Sequence, residues 1–280
     1  MKQRIITAVI LAPLVIAGIF MLPLPLFIAA LAIITLIGFW EWTQFVGDAS
    51  RVMTLIPGVV VSALSLYFIP FDSISLDAVT HSHFVMLWLG TIWWIIASVL
   101  AVTYPRSSSL WNHSSLLRHA FGILTLLPFF WSVILLRAEN MSGDVYHGAK
   151  LVLFVCLIVW AADSGAYFAG KSFGKHKMAP NVSPNKTIEG LLGGMATALI
   201  AGWAAAQYFD IQFASFGALL VTTLLTVIIS VLGDLVESMF KRVSGIKDSS
   251  NIIPGHGGVL DRIDSLTAAF PIFTLLYFSF

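Results

Sequence analysis

Charged residues are scarce in this chain, since Asp, Glu, Lys and Arg make up only 10% of its 280 residues. A soluble domain carries about 25% charged residues, so these charges are too few to cover a soluble surface of this size. Hydrophobic residues account for 58%, and they include 9 Trp and 21 Phe. Large apolar side chains tolerate contact with lipid, and Trp favours the headgroup region. The composition therefore predicts an integral membrane protein.

Cysteine is almost absent, because Cys156 is the single one in the chain. One cysteine excludes an internal disulfide, a CxxC redox motif and a Cys-based zinc site, and we expect it to be a small buried side chain. The formal net charge is only +1, which excludes a strongly basic nucleic-acid-binding protein. We therefore expect no nucleic-acid partner, and the position of the basic residues matters more than their sum.

Long apolar runs, in contrast, are plentiful. A helix needs about twenty apolar residues to cross the hydrocarbon core. We predict an all-α, polytopic membrane protein with about nine transmembrane helices, the first being a retained helix because no convincing cleavage site precedes Pro23. N-terminal membrane helices would occupy 1–150, and the helices of 151–280 would carry the functional site. The predicted spans lie near 5–22, 26–42, 53–70, 84–103, 120–136, 151–170, 188–208, 214–233 and 265–280.

The basic residues predict the orientation of these spans. With the amino terminus inside, all of the 15 Lys and Arg residues except Arg137 and Lys150 fall on the inner side. Cytoplasmic loops are enriched in Lys and Arg. We therefore expect a multi-pass protein of the cell inner (cytoplasmic) membrane with a cytoplasmic N-terminus. The longest polar stretches, near 171–187 and 234–264, would then face the cytoplasm and carry the chemistry.

The stretch 234–264 brings acids, bases and a glycine-rich turn together. Asp234, Glu237 and Lys241 share a helical face if the eighth span continues past the membrane, and Asp261 and Asp264 share a face where the ninth begins. Two such helix ends, converging at the membrane surface, would suit Mg²⁺, a hard cation that prefers oxygen ligands. The alternative is a solvated loop whose charges pair with one another or with lipid headgroups.

The glycine-rich turn inside that stretch contains His256, Gly257 and Gly258. Such a turn can bend sharply and present backbone N–H groups to anionic oxygens. Cationic side chains around it would neutralise a polyphosphate. These are Lys241, Arg242, Lys247 and Arg262.

Asp163 and Lys186 are further candidates upstream. Asp163 lies inside the sixth span, about 12 Å from its cytoplasmic end at 1.5 Å per residue, where an ionisable group is expensive and usually functional. A carboxylate bonded to a neighbouring helix is the alternative. In the basic loop that follows, Lys186 and Thr187 stand at a plausible helix start and could hold one phosphate with a cation and a helix dipole. Binding of anionic lipid in general is the alternative for this loop.

Two other patterns are rejected. Gly165–Ser172 satisfies the P-loop pattern, but it closes a transmembrane span instead of joining a strand to a helix. His81 and His83 cannot complete a metal site by themselves, and we expect solvated residues of an outer loop.

The charged stretch also resembles a known family. Ser238–Arg242, Lys247-Asp248, Pro254–Gly258 and Asp261–Asp264 together resemble the signature of the phosphatidate cytidylyltransferases, also called CDP-diacylglycerol synthases. Similarity to the bacterial branch extends to Ala162–Tyr167 and Ser183–Thr187. The resemblance implies a nucleotidyltransferase of phospholipid biosynthesis that converts CTP and phosphatidate into CDP-diacylglycerol and pyrophosphate, with Mg²⁺ as cofactor.

The resemblance also implies residue roles. Asp234 and Asp261 would be the leading Mg²⁺ ligands, with Asp248, Asp264 and Glu237 as weaker candidates. The other implied catalytic residues are Asp248, Asp264, Lys241, Arg242 and His256, and the substrate-binding residues are Lys186, Thr187, Ser183, Asp163, Lys247, Arg262, Gly257 and Gly258. Membrane lipids are expected contacts and a homodimer stays open. A CTP-dependent lipid kinase, which would move the γ-phosphoryl group, and a membrane transporter are the alternative functions.

Overall fold

Nine α-helices run through the residues that the computed structural model describes, which are 2–47, 50–69 and 79–280. The all-α prediction is confirmed. The helices are α1 (Lys2–Met21), α2 (Leu24–Val46), α3 (Arg51–Phe68), α4 (His81–Val102), α5 (Ser115–Ala138), α6 (His147–Phe173), α7 (Ile188–Phe209), α8 (Phe216–Val243) and α9 (Leu260–Ser279). A short 3₁₀ helix, Arg106–Leu110, precedes α5. Two short strands, β1 (Lys177–Ala179) and β2 (Ser183–Thr187), lie between α6 and α7.

Within the described ranges, seven helices, α2 to α8, are long and apolar enough to cross a membrane. The apolar part of α1, Val9–Met21, is shorter, and α9 begins with charged residues. Many apolar side chains on these helices point outward, among them Ile33, Ile96 and Ile200, which are 59%, 50% and 69% exposed. Such a surface fits lipid and not water. The chain is a multi-pass membrane protein.

Contacts between helix ends define two ends of the bundle. At one end the loop after α6 meets the last turn of α8, because Arg242 Nε donates to the carbonyl of Val182 at 3.2 Å. At the opposite end Arg137 of α5 donates from Nε to Ile19 O of α1 at 2.9 Å. We call the first the polar end. The two charged loops predicted to share one side of the membrane therefore lie at the same end of the protein.

An aromatic cluster holds the last turns of α8 in place at the polar end. Phe240 packs against Trp42 of α2, with ring centroids 4.9 Å apart, and against Trp111 at 5.0 Å. All three side chains are at least 96% buried. Aromatic pairs of this geometry add about 0.5–1.5 kcal/mol each beyond their buried area. The cluster fixes the α8 extension that carries the charged side chains.

Small residues let α6 and α7 pack closely. A Cβ on Gly165 of α6 would collide with Thr197 Oγ1, and one on Gly193 of α7 would collide with Ala169. The backbone approach brings Asp163 of α6 towards the start of α7. Gly165–Ser172 is wholly helical within α6, which confirms that it is not a P-loop.

Three local predictions can be judged against this fold. Cys156 is buried as expected. The solvated-loop prediction is right for exposed His81 but wrong for His83, which is 0% exposed. The Nδ1 atom of His83 accepts a hydrogen bond from the backbone N–H of Thr80 at 3.0 Å and caps α4. The β1–β2 hairpin was not predicted, because its short polar strands carry no alternating apolar pattern.

Candidate active site

The last turns of α8 present one polar face. Asp234, Glu237, Ser238 and Lys241 lie on the helix that continues to Val243, ten residues beyond the predicted end of the span. Ser238 Oγ donates to Asp234 Oδ1 at 3.3 Å, and Lys241 Nζ lies 3.1 Å from Glu237 Oε1. The helical spacing predicted this shared face, since positions four apart are neighbours on a helix.

The start of α9 joins this face through one ion pair. Lys241 Nζ donates to Asp261 Oδ1 at 2.8 Å, and the two side chains are only 13% and 3% exposed. One ammonium group therefore serves two buried carboxylates, those of Glu237 and Asp261. The ends of α8 and α9 converge here. A buried charge without a partner costs several kcal/mol of folding free energy, so Lys241 is needed to neutralise the buried carboxylate of Asp261.

A second lysine reaches the same face from the hairpin. Lys186 of β2 places Nζ 2.6 Å from Asp234 Oδ2 and donates to Val231 O at 3.1 Å. The next residue, Thr187, caps α7 by accepting a hydrogen bond from Gly190 N at 3.1 Å. Lys186 and the α7 N-terminus are therefore adjacent, as predicted, and the lysine is held by a carboxylate of α8.

These side chains form one electrostatic cluster. The negative charges of Asp163 and Asp264 both act on Asp234 and on Lys186, and Glu237 interacts with Asp264. Asp163 is exposed on the surface of α6 in the described structure. Five carboxyl groups and two ammonium groups therefore lie in one region of the protein. This acidic cluster comprises Asp163, Asp234, Glu237, Asp261 and Asp264, together with Lys186 and Lys241.

The glycine-rich turn wraps around Asp261. Ser249 N and Gly258 N each donate to Asp261 Oδ2 at 2.8 Å, and Ser249 Oγ donates to it at 3.0 Å. Gly257 adopts φ +81°, which L side chains rarely allow, and a Cβ there would lie 2.5 Å from Asp261 Oδ2. The backbone N–H groups of this turn do bind anionic oxygens, as the sequence suggested. The oxygens are those of the chain's own carboxylates.

Glu41 of α2 is a second carboxylate bound in this region, by residues on either side of the glycine-rich turn, and it was not predicted as a site residue. It is 0% exposed. Oε1 accepts from Ser250 Oγ at 2.5 Å and Val259 N at 3.0 Å, while Oε2 accepts from Ser249 Oγ at 3.1 Å and Leu260 N at 2.6 Å. An acid inside an apolar span is a signal for function or for a buried network, and Glu41 carries that signal.

Other predicted site residues lie at the edge of this arrangement. Arg242, Lys247, Asp248 and Arg262 are exposed, and Arg242 bonds the hairpin through Val182 O. His256 is partly buried and donates its backbone N–H to Ile253 O at 2.9 Å, while Ser183 begins β2. Their substrate-binding and catalytic roles stay predictions.

Comparison with known proteins assigns the chain. The cytidylyltransferase family matches residues 2–280. A phosphatidate cytidylyltransferase of Haemophilus influenzae is 42% identical, with 99% of each chain covered. One of Pseudomonas aeruginosa is also 42% identical over 99% of this chain and 96% of its own, and one of Staphylococcus aureus is 48% identical over 46% of this chain and 50% of its own.

These relatives confirm the resemblance drawn from the charged stretch and its glycine-rich turn. The match extends over the apolar helices as well, so it is not restricted to a short motif. The chain is a member of the cytidylyltransferase family.

Proposed function

We propose that this protein transfers the cytidylyl group of CTP to phosphatidate, forming CDP-diacylglycerol and pyrophosphate. The observation that carries the proposal is the full-length match to phosphatidate cytidylyltransferases at 42% identity. The site geometry agrees with it. A phosphate oxygen of the lipid attacks the α-phosphorus of CTP, the new P–O bond forms, and the bond to the β-phosphate breaks. No covalent enzyme intermediate is needed.

Such a reaction depends on positioning and charge neutralisation. Both substrates are anionic, and Lys186 is the cation best placed to meet a phosphate, because its side chain is 23% exposed at the edge of the acidic cluster. The exposed side chains of Arg242, Lys247 and Arg262 can hold the remaining phosphates. Lys241 is occupied by Glu237 and Asp261, so its contribution is to keep those carboxylates in place.

Mg²⁺ is the proposed cofactor, and the donor chemistry of the acidic cluster fits it. All five acids offer oxygen ligands, which a hard divalent cation such as Mg²⁺ prefers. Within the described ranges, no group of three or more His, Cys, Asp or Glu residues is already arranged around a single point. Bound Mg²⁺ would neutralise phosphate charge.

Asp234 and Asp261 are the proposed ligands of the metal, and Asp264 is a further candidate. Asp234 has a side chain that is 31% exposed and is close enough to Asp264 for their charges to interact. Asp261, the second ligand predicted from the sequence, accepts one hydrogen bond on Oδ1 and three on Oδ2. A carboxylate oxygen has two lone pairs, so a free one remains only on Oδ1.

We infer that the protein lies in the cytoplasmic membrane with its polar end and N-terminus in the cytoplasm. The distribution of Lys and Arg along the chain supports this orientation. CTP would reach the polar end from the cytosol, and the lipid substrate would arrive from the bilayer that surrounds the apolar helices.

Labelled nucleotides test the proposal. Purified full-length protein is supplied with phosphatidate, Mg²⁺ and CTP that carries label at either the α- or the γ-phosphate. We expect the α-label in the lipid and the γ-label in pyrophosphate, with neither reaction in Asp234→Asn. Transfer of the γ-label to lipid would replace the proposal with a lipid kinase. Movement of neither label with folded protein would contradict an enzymatic role towards these substrates.

A further inference from the structure

Glu41 stands outside the family-like charged stretch, yet it makes the most extensive contacts with it. Its carboxylate comes from α2, more than 200 positions earlier in the chain, and binds Ser249 within the loop between α8 and α9 as well as Leu260, the first residue of α9. The neighbouring Gln44 donates from Nε2 to Ser249 O on the same loop. One helix turn of α2 therefore holds the loop and the first residues of α9.

The geometry requires a carboxylate at position 41. Each oxygen accepts one hydroxyl and one backbone N–H, those of Ser250 and Val259 on Oε1 and those of Ser249 and Leu260 on Oε2. An amide could accept on one side only. A serine hydroxyl can turn and accept from its NH₂ group, but a backbone N–H cannot. Either orientation of a glutamine therefore leaves one buried N–H without an acceptor, which costs about 1–3 kcal/mol.

Ser249 connects Glu41 to the acidic cluster. Its hydroxyl lies 3.1 Å from Glu41 Oε2 and 3.0 Å from Asp261 Oδ2, so a single proton is shared between two carboxylates. Asp261 in turn accepts from Lys241, whose ammonium group also serves Glu237. A displacement of Glu41 would therefore also move Lys241 on the α8 face, because Ser249 and Asp261 connect the two side chains.

Gly258 shows how closely this contact is fitted. A Cβ at this position would lie 2.5 Å from Glu41 Oε1 and would also collide with Ser249 Oγ. The glycine is therefore needed for the approach of the Glu41 carboxylate, quite apart from any contact with substrate.

We propose that Glu41 is a positioning residue for the cytidylyl transfer: it holds the glycine-rich turn and the start of α9 so that Asp261, Asp264 and Lys241 keep their places opposite Asp234. The inference rests on the proposed function for its kinetic consequence. In this proposal Glu41 makes no contact with substrate and acts only by holding the loop.

The test compares Glu41→Gln with the parent protein, both full-length and purified in detergent. Misplacement of reacting groups by about 1 Å can cost on the order of 100-fold in rate, so we expect kcat to fall about 100-fold. KM for CTP and for phosphatidate should change less than kcat, because Lys186 and Arg242 lie outside the loop and α9 and keep their positions. Asp144→Asn, which breaks an ion pair with Lys150 outside the site, is the matched control and should leave kcat unchanged.

Two measurements separate positioning from general destabilisation. Hydrogen exchange should become faster in peptides covering 249–260 and stay unchanged in α6 and α7. The double variant Glu41→Gln/Ser249→Ala should lose less activity than the product of the two single losses, since both changes break the same chain of contacts. The inference would be overturned by unchanged hydrogen exchange in 249–260 or by a kcat within twofold of the parent. It would also be overturned if the activity losses of the two single variants multiplied in the double variant.

A second variant covers the case in which Glu41→Gln does not fold. Ser249→Ala/Ser250→Ala removes both hydroxyl partners and leaves Glu41 itself intact. We expect it to lower kcat and speed exchange in 249–260, and parent-like behaviour would contradict the inference. If the parent itself does not turn over CTP with phosphatidate, the proposed function fails. Exchange in 249–260 would still decide whether Glu41 holds the loop.

Discussion

Lys186 Nζ lies 2.6 Å from Asp234 Oδ2, and this ion pair joins the hairpin that precedes α7 to the polar face of α8. The side chains are 23% and 31% exposed, whereas those of Lys241 and Asp261 are 13% and 3% exposed. The two lysines therefore have different surroundings. Lys186 can exchange its carboxylate partner for a phosphate, while Lys241 is committed to buried carboxylates.

Replacing Lys186 with Ala should chiefly weaken substrate binding. The change removes a partly exposed cation that an incoming phosphate can reach, and charge-assisted hydrogen bonds are worth about 1.5–3 kcal/mol. We expect KM for CTP or phosphatidate to rise at least about tenfold, since 1.4 kcal/mol corresponds to a factor of ten. Steady-state kinetics with each substrate varied in turn would measure this. Lys150→Ala, near the start of α6, is the control. An unchanged KM for both substrates in Lys186→Ala would contradict the proposed role of Lys186.

Replacing Lys241 with Met should damage folding more than binding. Glu237 and Asp261 would both lose their shared cation while remaining buried. Removing one partner of a buried ion pair costs about 3–5 kcal/mol. We expect poor yield of monodisperse protein and a lower unfolding temperature, measured in the same detergent as the parent. Lys171→Met, at an exposed position near the end of α6, should behave like the parent. A normal unfolding temperature for Lys241→Met would show that the pair is dispensable.

The sequence predicted the helices better than it predicted the contacts between them. Apolar length predicted the nine helices found in the described residues, because it is a local signal, and seven of the nine are long and apolar enough to cross a membrane. The spacing of Asp234, Glu237 and Lys241 predicted their common face for the same reason. Glu41 was missed because its partners, Ser249 and Leu260, lie more than 200 positions away, and no local pattern encodes such a contact.

The glycine-rich turn illustrates a partial success. Its sequence predicted backbone N–H groups directed at anionic oxygens, and the structure has that chemistry. Which anions they bind depends on tertiary packing, which brings Glu41 and Asp261 to the turn. The Lys186 ion pair with Asp234 was likewise beyond the sequence, because it depends on how the unpredicted hairpin meets α8.

Gly258→Ala should reproduce the effect of disturbing Glu41. The added Cβ would collide with Ser249 Oγ and Glu41 Oε1, both buried with little room to move. We expect turnover to fall while CTP binding persists, measured by kcat and by equilibrium dialysis of labelled CTP. Gly217→Ala is a matched control, because a Cβ there meets only Ser215 Oγ, at 3.5 Å, in an open part of α8. Full activity of Gly258→Ala would argue against a close fit at the turn.

Mg²⁺ alone should stabilise the protein, because the acidic cluster offers it several oxygen ligands. A ligand at ten times its Kd adds about 1.4 kcal/mol of stability, so the unfolding temperature should rise measurably. Asp264→Asn should abolish that rise and turnover. Salt at matched ionic strength is the control. An equal Mg²⁺ response in parent and variant would place the metal elsewhere.

Orientation is testable with single cysteines on a Cys156→Ala background. Lys175→Cys and Asn251→Cys place thiols on exposed positions of the polar end, and Val145→Cys places one on the exposed loop between α5 and α6. Because basic loops are retained in the cytoplasm, a membrane-impermeant maleimide should label only Val145→Cys in intact cells. The two polar-end cysteines should become reactive once the membrane is opened, which shows that their thiols are accessible. Labelling of Lys175→Cys or Asn251→Cys from outside would reverse the topology, and CTP from the cytosol could then not reach the acidic cluster.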